Sequence, residues 1–171
     1  MDKITNIVND FKNKEGIDFS LSFVMPAGFE NAFGTFDIEK NTLFINLEKQ
    51  VDEVRLVFTT FHELRHALQY LKPQIFSKEV QISKNYVIGY DGHCWKLVDG
   101  KWRVCKLEGY DFLSHYLSLP AERDANDYAF KMSCLMLGES DQLLRIYAQT
   151  QPEKLIVDFL KIFSEIDEKS C

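Results

Sequence analysis

Residues 52–72 constrain this chain more than any other stretch. Val54, Val57, Phe58, Phe61, Leu64, Ala67, Leu68 and Leu71 recur at helical spacing and cover several sides of one helix. Asp52 suits its N-cap, and Pro73 stops it after Lys72. A helix this apolar is expected to be buried. Yet its middle reads Phe61-His62-Glu63-Leu64-Arg65-His66-Ala67, and polar groups taken out of water need partners. Residues four apart lie about one turn apart on one face, so His62 and His66 can aim both imidazoles at one ion. Glu63 leaves the helix in a different direction and can reach a water on that ion without binding the ion itself. Two neutral nitrogens, a carboxylate base and an open coordination position are what a zinc hydrolase requires. The chain holds four histidines, and two of them fall at this spacing around a glutamate. The bland alternative is a buried helix in which His62 and His66 are ordinary residues.

Two histidines need a third protein ligand, commonly from a later helix. The longer pattern with a third histidine is absent, because Gln69 and Lys72 stand where its Gly and His would be. A carboxylate is therefore expected. Glu122 is the best candidate, since it opens a helix whose same face continues with Asn126, Ala129 and Ser133, small enough to let two helices approach closely. Asn126, one turn on, would orient a ligand from behind. The bland reading of Glu122 is a carboxylate favoured by the helix dipole. Asp124 is the alternative ligand, and it points to a different face, so one of the two serves but hardly both.

The remaining periodicities predict an α+β chain. Ile4, Ile7, Val8 and Phe11 give a helix over 2–14 closed by Gly16, and residues 17–23 alternate as a strand. Phe33–Ile38 and Leu43–Leu47 read as a hairpin around Lys40-Asn41. Val80–Tyr90 looks extended, and Cys94–Val98 pairs with Lys101–Cys105 around Asp99-Gly100. Trp95, Leu97, Trp102 and Val104 would share one face of that hairpin, either packing it onto the body or shaping access to a cleft. Pro120 opens a helix that ends before Gly138, and Ser140 caps a short one through about Ala148. Thr150-Gln151-Pro152-Glu153 is a capping box for a last helix carrying Leu155, Ile156, Phe159, Leu160, Phe163 and Ile166. The expected result is one domain over 1–171, a mostly antiparallel sheet packed on the buried helix, with an inserted hairpin segment at about 80–107.

Composition narrows the partners. A net charge of −6 without a basic block argues against nucleic acid. No apolar run approaches membrane-spanning length, and the N-terminal residues do not read as a signal peptide, so a cytoplasmic protein is expected. The four cysteines form no C-x-x-C. Cys94 and Cys105 would stand opposite one another at a hydrogen-bonded pair, and they are read as free thiols.

His62-Glu63-Leu64-Arg65-His66, followed by Glu122-Arg123-Asp124-Ala125-Asn126-Asp127-Tyr128-Ala129, resembles the gluzincin-type metallopeptidases, particularly the small ImmA/IrrE-like group. That group shows H-E-x-x-H and later E-x-E/D-A-N/D-x-F/Y-A, and is frequently encoded on phages and mobile elements. The resemblance covers mainly residues 30–137. It implies a small zincin-like fold, a cytoplasmic setting, zinc held by His62, His66 and Glu122, and Glu63 as general base. Some members cleave a DNA-binding repressor, so the implied substrate is a folded or partly folded protein. Two features depart from the pattern. Residues 67–121 are more than such small peptidases usually carry between the motifs, and no helix-turn-helix domain is attached. Tyr110, His115, Tyr116, Tyr90 or His93 would steady an oxyanion, and the Thr42–Leu47 strand, if it is a sheet edge beside the cleft, would pair with an extended substrate. Two competing readings are a zincin-fold binding module without catalysis and a purely structural zinc. The second is disfavoured because Cys134 lies three turns from Glu122, too far to close the site with a fourth ligand.

Overall fold

The computed structural model describes residues 2–50, 52–88, 93–99, 101–106 and 112–153. Helix α1 (Asp2–Glu15) buries Ile4, Ile7, Val8 and Phe11 along one stripe and ends at Gly16. The φ of +59° there is one that glycine adopts without strain. Strand β1 (Ser20–Ser22) then runs parallel to β3 (Thr42–Ile45), whose other side pairs antiparallel with β2 (Gly34–Asp37). The order is β1-β3-β2, so residues 23–33 carry the chain from one edge of the sheet to the other. This crossover makes one of the two pairings parallel, and it places β3 inside the sheet rather than at its edge. The expectation that Thr42–Leu47 offers a free edge is thereby corrected. Asn46, 5% exposed, secures the crossover by donating from Nδ2 to the carbonyls of Glu30 and Ala32.

Helix α2 (Glu53–Leu71) starts where Asp52 Oδ1 accepts from the Arg55 N–H at 2.8 Å. It stops before a 3-10 turn at Pro73–Ile75. Val57, Phe58, Phe61, Leu64, Ala67 and Leu68 are buried, joining Phe36, Leu43 and Ile45 of the sheet and the stripe of α1 in one core. Where extended chain was expected from Val80, the protein forms helix α3 (Lys78–Ser83), capped by Ser77, before β4 (Tyr86–Ile88). The cause is tertiary. Val80 and Ser83 are buried, and Ser83 Oγ accepts from the Ala121 N–H at 2.8 Å.

A second sheet, order β4-β5-β6, is antiparallel throughout. Its hairpin joins β5 (His93–Val98) to β6 (Lys101–Lys106), with Asp99 at φ +53° in the turn and Cys94 opposite Cys105 in the register. Helix α4 (Phe112–Ser118) leads into α5 (Pro120–Leu137), which has Pro in its first turn. Ala121, Ala125, Ala129 and Ser133 are all buried on α5, and this run of small residues lets it lie close along α2. Ser140 caps α6 (Asp141–Gln149), its side chain accepting from the Leu143 N–H. The fold is α+β. The final helix read from the Thr150–Glu153 capping box falls outside the described residues. No helix among them is long and apolar enough to cross a membrane.

Candidate metal centre

α2 brings His62 and His66 to one face, one turn apart, and their Nε2 atoms stand 3.0 Å from each other. α5 brings Glu122 against them from its first turn. His62 Nε2 lies 3.4 Å from Glu122 Oε2, and His66 Nε2 lies 3.4 Å from Glu122 Oε1. Two ligand atoms about 2.0–2.1 Å from one tetrahedral zinc are separated by ~3.3 Å. The three side chains therefore already have the spacing of ligands around one small cation, and all three can offer an atom to it. Glu122 Oε2 supports the same conclusion. It is buried and makes no aligned hydrogen bond, an unusual condition for a carboxylate oxygen that a cation would relieve.

The electrostatics agree. Burial alone would lower the pKa of His66, but the Glu122 and Glu63 carboxylates, with hydrogen bonds from His66 to Glu122 and Gln69, outweigh it and raise His66 to about 9. Burial opposes ionisation of Glu122, yet the two histidines hold its pKa far below the ordinary range. Glu63 behaves differently. It is 8% exposed, and burial pushes its pKa up despite both histidines, with Glu122 adding to the rise. A cluster that draws positive charge onto an imidazole in this way favours a cation in its midst. Its remaining carboxylate is biased toward holding a proton.

Asp124 is not part of this triangle. Its Oδ2 and Oδ1 accept from Arg65 Nε and Nη2 at 2.8 and 2.9 Å, a two-pronged pair that turns the side chain away from the histidines. The Arg65 guanidinium lies between the rings of Phe76 and Tyr128, at 4.5 and 4.8 Å from their centroids. Asn126 is buried, at 3% exposed, on the α5 face that meets α2. Among the described residues, however, the hydrogen bond that reaches a histidine from behind comes from Gln69, whose Oε1 lies 2.9 Å from His66 Nδ1. In the sequence Gln69 marks only the absence of the longer motif's Gly; the signal available for this role is a lone amide in an apolar helix, three residues after a candidate ligand.

The triangle opens into a cleft of about 530 Å³ whose walls include Gly34, Phe36, Glu63, Tyr70, Trp95 and Trp102. β2, the outermost strand of its sheet among the described residues, borders the cleft with Gly34 through Asp37. Gly34 matters for close approach. A Cβ built there would meet Glu63 Cγ at 2.7 Å and the Phe44 carbonyl at 3.1 Å, so only glycine lets the strand lie against this carboxylate. An isolated Gly inside a strand pattern was the available signal. On the other wall Tyr70 stacks on Phe36 with centroids 6.1 Å apart and meets Trp102 edge-on at 6.4 Å. The Trp102 main-chain N–H donates to Glu39 Oε1 at 3.2 Å and ties this strand to the turn after β2. Tyr70 Oη donates to the Lys84 carbonyl at 2.6 Å and is committed. Among the described oxyanion candidates, Tyr116 lines the cleft, and His93 and His115 do not. Burial first, then the charge of Glu122 and a hydrogen bond to it, holds the Tyr116 phenol well above its usual pKa, so it keeps its proton. Tyr90 and Tyr110 lie outside the described residues. Compared with known proteins, the chain matches no protein-family model, no curated protein and no solved structure.

Proposed function

We propose that this protein is a zinc metallopeptidase of the gluzincin type, hydrolysing peptide bonds of a protein substrate. The observation that carries the reading is the near-equilateral triangle of His62, His66 and Glu122, with a second buried carboxylate, Glu63, beside it and facing the same cleft. His62, His66 and Glu122 would hold the ion. When bound, zinc supplies a water of lowered pKa and polarises a carbonyl. The chain's own residues account for the rest. Glu63, with a pKa raised by burial, takes a proton from the attacking water and delivers it to the departing amine nitrogen. Tyr116 donates from its phenol toward the developing oxyanion. Main-chain groups along the outer edge of β2 pair with an extended peptide, taking the role first expected of Thr42–Leu47. The resemblance to the ImmA/IrrE-like group supports a protein substrate, with a repressor as one example.

Glu63→Gln tests the reading because it keeps size and removes the base. Zinc content and fold should persist, while hydrolysis of casein or a candidate protein substrate falls by about 10²–10⁴-fold. Hydrolysis unchanged in the variant would exclude Glu63 as the base. A parent that cleaves nothing yet holds a partner as tightly as the variant does would favour the non-catalytic binding module instead.

A further inference from the structure

Gln69, itself fully buried, is the turning point of a partly buried chain of hydrogen bonds that runs from Arg65 through Asp124 to His66. Its Nε2 lies 2.9 Å from the Ala121 carbonyl and 2.8 Å from Asp124 Oδ2, and its Oε1 lies 2.9 Å from His66 Nδ1. A side-chain amide has two N–H donors on nitrogen and lone pairs on oxygen. A backbone carbonyl accepts only. Both Asp124 oxygens already accept from Arg65, and Oδ2 is an acceptor toward Gln69 as well. Both neighbours of Nε2 therefore demand donors, and turning the amide over would set Oε1 against two acceptors. The amide orientation is fixed from the α5 side. Oε1 has no proton to give, so the nitrogen facing it must carry one.

The structure assigns Gln69 as the positioning residue for His66: it holds the proton on Nδ1 and leaves the Nε2 lone pair for the cation. This assignment rests on the metal-centre reading above. It also gives Asp124 a role that its failure as a ligand left open. Arg65 fixes Asp124, Asp124 and Ala121 fix the Gln69 amide, and the amide fixes the imidazole. Arg65 in turn is held between Phe76 and Tyr128, so the chain of constraints ends on packed rings rather than in solvent. Polar partners behind a metal-ligating histidine set its tautomer and ring orientation in just this manner. Three of the four members, Arg65, His66 and Gln69, come from α2, while Asp124 and the Ala121 carbonyl come from α5. The contact between the two helices is thus also what aims a ligand.

The test uses the whole protein with ¹⁵N-labelled histidine, which gives only four side chains to assign. The proton-bearing nitrogen of His66 is read with and without zinc in the parent, in Gln69→Met and in Gln69→Glu. Met keeps the length and removes every hydrogen bond. Glu keeps an acceptor for His66 and removes the two donors. Because Nδ1 carries a proton in both the imidazolium and the assigned neutral form, the signal exists whether or not zinc binds. The expected result is an exchange-protected Nδ1–H in the parent, its protection lost in Gln69→Met and weakened in Gln69→Glu, where a carboxylate oxygen replaces the donor to Ala121 and Asp124. Zinc affinity in Gln69→Met should be about 10–100-fold weaker. A protected Nδ1–H that survives Gln69→Met, or a parent with the proton on Nε2, would overturn the assignment. If Gln69→Met does not fold, the parent decides alone, because a proton on Nε2 rather than Nδ1 of His66 there contradicts the assignment. A parent that shows the protected proton and binds no zinc would sink the proposed metal chemistry while leaving the Gln69 assignment standing.

Discussion

Two three-stranded sheets border the same cleft, and they are anchored in different ways. In β1–β3, the inward residues Phe36, Leu43 and Ile45 are 7%, 0% and 0% exposed and belong to the core that also buries α2. In β4–β6, Cys94 is buried, but Val104 is 57% exposed, and the sheet contributes no residue to that core among those described. It packs on α3 and α4 through β4, and its ties toward the first sheet and α2 include the Glu39–Trp102 hydrogen bond and the Tyr70–Trp102 ring contact. The first sheet cannot be disturbed without disturbing the helix that carries the histidines. The second supplies aromatic wall to the cleft at little cost to that helix. The candidate metal centre and the aromatic wall of the cleft are therefore carried by parts of the molecule with different stakes in the fold.

The contrast breaks if both sheets prove equally necessary. Leu43→Ala should destabilise the protein by about 2–5 kcal/mol, the usual range for a fully buried Leu. Trp102→Ala removes a half-buried ring and should cost about 1–2 kcal/mol. Urea denaturation of the two variants measures both. Equal losses would mean that the second sheet is part of the folding core.

The same contrast explains what could be read in advance. Helix α2 was legible from its cap at Asp52 to its stop at Pro73, because helix propensity, periodicity and punctuation agree there. So were the two hairpin turns at Asn41 and Asp99, both residues at positive φ. The grouping of Glu122 with the two histidines was reachable from residue spacing and small neighbours on α5. Other features depend on partners remote in sequence. Val80–Tyr90 reads as extended, but its first residues belong to the helix Lys78–Ser83, with Ser83 bonded to Ala121, and only Tyr86–Ile88 forms a strand. Thr42–Ile45 became the inner strand because β1 crosses to its far side. Asp124 was claimed by Arg65, a residue of the motif itself, and spacing gives no hint of that pairing.

Gly34 sharpens the comparison from the side of Glu63. If the first sheet is fitted to Glu63, Gly34→Ala must displace that side chain and should cost about 1–3 kcal/mol. In a Glu63→Ala background the Cγ contact is gone, and the added methyl should cost clearly less. The coupling is read by denaturing all four proteins of the cycle. An unchanged cost would shift the conflict to the Phe44 carbonyl and Thr59, at 3.1 and 3.2 Å.

The central claim is that two turns of α2 and the first turn of α5 make one metal centre, and direct zinc measurement tests it. The metal-free protein is titrated with zinc against a chelator of known affinity, and bound metal is counted by elemental analysis. About one zinc per chain is predicted. His62→Ala, His66→Ala and Glu122→Ala should each lose most of it while keeping native circular dichroism, and Asp124→Ala should lose clearly less. Full zinc retained by any of the first three, or a greater loss from Asp124→Ala than from Glu122→Ala, would contradict the account.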